Sequence, residues 1–249
     1  MKEERYFYIP DAAQQQEMPA DEAVHAVRVL RLKEGDEVFL MDGNGTFHKA
    51  EITLATQRRC MYRITESMPQ QRMWKGRIHL AIAPTKMMER MEWMVEKATE
   101  VGFDEITFLN CRFSERTKLR TDRIEKIIVG AVKQSRKAWM PKVNDMTDFK
   151  TFIAEHQQGR RYICHCYEEY PKQDFFQMLA QSVGIASDTT SDSEVIVLVG
   201  PEGDFSTDEV QLALDNGYVS TSLGTSRLRT ETAGLSAVMM ANLLLRNQN

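Results

Sequence analysis

Two short stretches near the carboxyl end carry most of the residues whose type and spacing suit chemistry. The first is Val195–Gly200 followed by GPEGDFSTDE, and the second is Tyr218–Gly224 followed by TSRLRTETAG. Each begins as an apolar, β-branched run that reads as a buried strand, turns on glycine, and hands over to a helix. In the first, Gly200, Pro201 and Gly203 form the turn, and Ser206 with Glu209 three positions on makes a capping box for the following helix. In the second, Gly224 precedes Arg229, Thr230, Glu231 and Thr232, and the apolar run AGLSAVMMANLLL reads as a helix. Ligands bind at the carboxyl edge of an open α/β sheet, and small residues there let the backbone come close to a nucleotide-like molecule. On the residues alone, a pair of ordinary strand-to-helix connections remains an equal reading.

The elements that would hold these loops follow from the pattern between them. After residue 77 the chain alternates strand-like and helix-like segments. These are Ile78–Pro84, the helix MERMEWMVEKATEVG, Ile106–Asn110, the helix Asp122–Ala138, the helix DFKTFIAEHQQ, the strand RRYICHCYE and the helix DFFQMLAQSV. That alternation predicts a mostly parallel sheet covered on both faces. Met88, Met91, Val95, Ala98 and Gly102 share one stripe of the first of these helices and read as core. Gly184–Glu194 is polar and rich in Ser and Thr, and is expected to be a mobile loop without chemistry.

The amino-terminal part has a different grain. DEVFLMD and TFHKAEITLA flank Gly43-Asn44-Gly45, a hairpin signal, and CMYRIT adds an alternating strand. Ahead of the hairpin, His25, Arg28 and Arg31 recur at helical spacing beside Val24, Val27 and Leu30. This reads as a short amphipathic helix with a basic edge on a small β-barrel, a form that commonly binds RNA. A packing or capping role for His25 is an equal alternative. Met68–Gly76 reads as the linker, which sets domains at residues 1–70 and 71–249.

Composition narrows the classes. Hydrophobic residues make up 42% and charged residues 27% of 249, an ordinary balance for a globular protein. No apolar run approaches the ~20 residues of a membrane helix, and the first ten residues lack a signal-peptide core. Cys60, Cys111, Cys164 and Cys166 follow neither zinc nor disulfide spacing, so no metal is expected and a cytoplasmic protein with reduced thiols fits. The net charge is −4, yet Arg112–Lys142 holds ten basic and three acidic residues. A local basic face attracts phosphate whatever the protein total. The chain has no Walker A loop, no G-x-S-x-G elbow, no H-E-x-x-H and no G-x-G-x-x-G, so hydrolysis, phosphoryl transfer and hydride transfer are not advertised.

LVGPEGDFSTDE together with SLGTSRLRTETAGLSA closely resembles the RsmE family, the 16S rRNA uridine-N3 methyltransferases of the SPOUT superfamily. HAVRVLRLKEGD…DGNG, RMEWMVEKATEVG and KQSRKAWMP extend the resemblance in order along nearly the whole chain. It implies an amino-terminal PUA-like barrel, a carboxyl-terminal α/β domain with a trefoil knot, a homodimer, and S-adenosylmethionine (SAM) as methyl donor. Carried over by position, Val199, Gly200, Glu202 and Gly203 match the first cofactor loop, and Leu223, Gly224, Leu228, Thr230 and Thr232 the second. Arg229 is then expected to stabilise anionic charge or position the loop, and Glu231 is a candidate base or, equally, a cap for its own helix. Arg5, His25, Arg28, Arg31, Arg112, Arg116, Lys118, Arg136 and Lys137 are expected to hold RNA, in the form of 16S rRNA within the 30S subunit. The sequence departs from the commonest family pattern at Asp204, where a second glycine is frequent, at Ser226, where arginine is frequent, and at Lys133-Gln134, where Glu-Gln is frequent. Two other readings stand beside this one: a related SPOUT enzyme with another target atom, and a non-catalytic RNA-binding or ribosome-assembly protein.

Overall fold

The structure is a computed structural model and describes residues 4–185 and 194–246. The expected mobile loop at Gly184–Glu194 therefore lies almost wholly outside the described residues. Chain contacts divide the protein into two units, residues 1–72 with 129–140, and residues 73–128 with 141–249.

In the first unit, β1 (Tyr6–Tyr8), β2 (Glu37–Met41), β3 (Thr46–Ala55) and β4 (Cys60–Pro69) form one sheet in chain order. β1 runs parallel to β2, and the other pairs are antiparallel. Alternation puts Leu40, Ala50, Ile52 and Tyr62 on the inner face with Phe7 and Ile9, all out of solvent. The expected hairpin is present, with Met41 opposite Phe47. Its turn works because the Asp42 carboxylate accepts from the amides of Asn44 (2.7 Å) and Thr46 (2.9 Å), while Gly43 and Gly45 take φ of 75° and 103°.

The basic helical edge needs correction. α1 is only Ala20–Val24, and His25–Val29 continues it as a π-helical turn closed by Leu30 N–H to His25 O at 3.0 Å. A turn closed from i to i+5 no longer stacks residues three apart. Arg28 is exposed, His25 is half-buried with its ring 6.2 Å from that of Phe7, and Arg31 lies past the helix at φ 54°. The spacing that looked like one face is broken by the widened turn.

In the second unit, seven strands run parallel in the order β7-β6-β5-β10-β8-β11-β9. They are β5 (Arg77–Ile82), β6 (Glu105–Asn110), β7 (Lys142–Asp148), β8 (Arg160–Cys164), β9 (Gln173–Asp174), β10 (Glu194–Val199) and β11 (Val219–Ser222). The expectation of a mostly parallel sheet is met, and the sequence reading passed over β7 and β9. β7 is the polar run KVNDMTD on one edge, so it lacks the apolar signature of its buried neighbours. The helices are α2 (Met88–Val101), α4 (Phe149–Glu155), α5 (Phe175–Ile185), α6 (Thr207–Asp215) and α7 (Thr230–Leu245), while α3 (Thr121–Ser135) begins in this unit and from residue 129 belongs to the first. α2, α5 and α7 pack together, as do α4 and α6, which covers β5 and β10 on both sides.

On α2 the buried residues are Met91, Met94, Val95, Ala98 and Thr99, close to the expected stripe. The segment read as a linker is anchored. Trp74 is buried, and its indole N–H donates to Asp104 at 2.8 Å. Gly102, at φ 119°, ends α2 beneath the Trp74 ring, where a Cβ would fall 2.5 Å from it. α7 lies on β5 because Gly234 lets it approach, and a Cβ there would fall 2.7 Å from the end of Ile82.

Candidate functional site

β10, β8 and β11 are neighbours, and their carboxyl ends release three loops around a cavity of about 920 Å³. Parallel strands put all three loops on one edge, so the two glycine stretches meet although nearly twenty residues separate Gly203 from Leu223. Val199, Gly200, Glu202, Leu223, Gly224, Leu228, Arg229, Thr230 and Glu231 all line it. Gly203 and Thr232 do not.

The first loop is braced from several sides. The Thr230 hydroxyl donates to Gly200 O at 3.1 Å, which ties the start of α7 to the end of β10. A Cβ at Gly200 would lie 3.0 Å from the Phe205 amide nitrogen, so a larger residue there would push on the loop where it closes on itself. Glu202 accepts from the Lys86 amide at 3.2 and 3.3 Å and so holds the turn after β5. Asp204 takes φ 67°, a region that favours glycine but that aspartate tolerates. Its carboxylate accepts from Phe205 N–H and Cys166 N–H, both at 2.8 Å, and so joins the loop to the residues after β8. Ser206 and Glu209 form the expected capping box, and Glu209 also accepts from the Arg112 amide at 2.8 Å.

In the second loop Gly224 has φ 123° and no neighbour within 4 Å of a would-be Cβ, so conformation and not crowding calls for glycine. Leu223 and Leu228 are half-buried on the wall. Arg229 is exposed at the N-cap of α7 and makes no side-chain cap. Glu231, in the first turn, is buried. Its Oε1 lies 3.8 Å from Arg90 Nη1, and its Oε2 has no hydrogen-bond partner among the described residues. A buried carboxylate oxygen left unpaired beside a cavity is set to meet a donor or a cation.

The structure adds residues the motifs did not offer. Arg90, Cys164, His165, Cys166 and Lys172 also line the cavity. Cys164-His165-Cys166 is the carboxyl end of a strand beside β10, and that placement, not metal spacing, was the available signal. The His165 Nε2 is 2.8 Å from Ser220 Oγ, and burial lowers its pKa. Burial pushes the Cys164 thiol up to about 12, so it is not a ready thiolate ligand. Elsewhere in the sheet, ligand atoms of His79, Glu105 and Glu194 lie within 4.8 Å of one another. Glu105 there is already engaged by Arg77, Lys142 and Asn144.

The nine residues expected on RNA fall in both units. In the first, Arg28, Arg31 and Arg136 are exposed, and Arg136 pairs with Glu4 at 2.9 Å. Arg5 is half-buried and donates to Leu30 O, and Lys137 is buried, so neither presents a free guanidinium or ammonium face. In the second, Arg112 and Lys118 are exposed, while Arg116 donates to Thr85 O (3.3 Å) and Lys86 O (2.7 Å).

The chain is similar to known proteins along nearly its whole length. Residues 72–242 match the family described as RNA methyltransferase domain, and residues 19–60 match RNA methyltransferase PUA domain. Ribosomal RNA small subunit methyltransferase E of Bacillus subtilis is 28% identical over 257 residues, covering 98% of each chain. A solved structure of a "probable rRNA-methyltransferase" from Porphyromonas gingivalis is 39% identical with a TM-score of 0.86, covering 97% of this chain and 98% of that one. A Legionella pneumophila protein given as a methyltransferase, solved with the cofactor SAM bound, is 25% identical with a TM-score of 0.79, at 97% and 98% coverage.

Proposed function

This chain belongs to the RNA methyltransferase family, and from that premise we propose that it transfers a methyl group from SAM to N3 of one uridine in 16S rRNA. The observation that carries the reading is the single cavity wall built from both glycine loops, pinned by Thr230 to Gly200. The residues fit SAM. The volume is within the range of small-molecule sites, and the aliphatic Val199, Leu223 and Leu228 flank backbone freed by Gly200 and Gly224. When bound, SAM supplies an activated methyl group on a sulfonium. The names of the curated relatives and the SAM-bound neighbour support donor and substrate class.

The chain's own residues then have three tasks. Gly200, Gly224 and Leu228 leave the backbone and a smooth aliphatic surface to orient the donor. Arg229, exposed on the rim with no ion pair among the described residues, stabilises negative charge as the uracil loses its N3 proton. Glu231 is the candidate to accept that proton through Oε2, with Arg90 holding Oε1. The target base must leave its stack to arrive, at a cost of a few kcal/mol. Arg28, Arg31, Arg112 and Lys118 are assigned to the phosphate backbone, with residues 1–70 as the RNA-binding domain and 71–249 as the catalytic one. We assign the protein to the cytoplasm, as a homodimer acting on the 30S subunit. No helix among the described residues is long and apolar enough to cross a membrane.

The test is methyl transfer from labelled SAM to undermethylated 30S subunits and to naked 16S rRNA, followed by nucleoside analysis. N3-methyluridine at one position is the expected product, with 30S preferred. A different methylated nucleoside overturns the target atom, and no transfer together with no SAM binding overturns the enzyme.

A further inference from the structure

Phe113 is a large apolar side chain left 47% exposed, in a stretch where every near neighbour that is charged, apart from Glu115, is basic. It sits in a tight turn after β6. The Cys111 amide donates to Ser114 Oγ at 3.0 Å, and the Ser114 amide donates to Cys111 O at 3.1 Å, so residues 112 and 113 are held at the tip. The Arg112 amide is fixed by Glu209 at 2.8 Å, and the Arg112 side chain, 65% exposed, has its Nη1 3.7 Å from Asp208 Oδ2.

Gly203 supplies the link to the cavity. It carries the first glycine loop between Glu202 and Asp204, both on the wall, yet does not line the cavity itself. A Cβ on Gly203 would fall 3.3 Å from Phe113 Cβ. The glycine therefore leaves room for the aromatic residue, and Phe113 packs against the first glycine loop on the side away from the cavity lining. β6, β5 and β10 run parallel, so the turn and the loop share one edge of the sheet.

We propose that Phe113 is a stacking platform that receives an unpaired RNA base beside the first glycine loop. An aromatic plane stacks on any nucleobase, and a rigid platform loses little entropy when a base arrives. Positive charge from Arg112 and Lys118 draws the backbone to the same place. The inference rests on the methyltransferase reading for its activity assay and on RNA binding alone for its second assay.

Phe113→Ala, Phe113→Leu and Phe113→Trp are compared with the unchanged protein on undermethylated 30S subunits. Phe113→Ala and Phe113→Leu are expected to raise KM for the RNA about tenfold, with kcat at saturating RNA and the Kd for SAM unchanged, and Phe113→Trp to restore KM. An unchanged KM in Phe113→Ala, or full activity in Phe113→Leu, overturns the platform, the latter because aliphatic area would then suffice. A fall in SAM affinity in all three also overturns it, in favour of a packing role against Gly203. Should the unchanged protein transfer no methyl group, the function proposed above fails, and the platform is still read directly. Oligouridylate added to Phe113→Trp is expected to quench fluorescence beyond that seen with the unchanged protein, and equal quenching overturns the stack.

Discussion

At the scale of single residues, the site is held by side chains that bond backbone, and their removal should be felt in ligand affinity. Thr230→Val keeps shape but leaves Gly200 O without its donor. Losing one buried partner costs about 1–3 kcal/mol, so titration calorimetry should show SAM binding weakened about fivefold or more. Asp204 shows what a family glycine becomes when replaced. At φ 67° its carboxylate takes two amides, one from each of two loops. Asp204→Ala loses both bonds and keeps the unfavourable φ, and should lower stability by about 2 kcal/mol. Asp204→Gly relieves the backbone and should cost less, as urea midpoints would show. The sequence flagged Asp204 as a departure but could not reveal this, because the Cys166 amide is 38 residues away.

At the scale of elements, the capping box was legible because all its partners lie within four residues. Ser206→Ala should cost about 1 kcal/mol, read as a lower midpoint in thermal unfolding. The buried strands and the carboxyl-terminal helix were legible for the same reason, since period and composition are local. β7 escaped because a polar edge strand carries no such period. The basic edge of His25, Arg28 and Arg31 misled because a π turn changes the period without changing the residues. Most of the loop residues named from the motif do line the cavity. Arg90 and His165 could not be named, since each comes from a separate element that only the sheet order brings in. Gly203 was named for the cofactor, and its contact with Phe113 became visible only with both loops in place.

At the scale of the whole molecule, the sheet carries a polar ladder that should make stability fall in mild acid. His79 Nε2 is 2.8 Å from Thr107 Oγ1, and burial lowers its pKa from 6.5 to about 4. Burial alone would raise the Glu105 carboxyl, but the bond from Asn144 and the neighbouring His79 and Lys142 charges hold it below its usual value. As pH falls from 6.5 toward 4 the unfolded chain takes up the His79 proton first, so stability is present above that window and lost through it. Protonating Glu105 removes more below 4.5. Urea midpoints at pH 7.5 and 4.5 should differ, and His79→Gln should flatten the slope in the upper part of the range.

The order of the strands also governs how this chain is made. β10 lies between β5 and β8, and β11 between β8 and β9, so each of these two strands is synthesised after both of its neighbours. A nascent chain that has emerged only as far as Asp174 has no partner to lay between β5 and β8. The centre of the sheet must stay open until residues 194–199 leave the ribosome, with hydrophobic edges that invite pairing with other chains. The closing step of this unit draws on contacts more than a hundred residues apart, such as Val197 with Leu80.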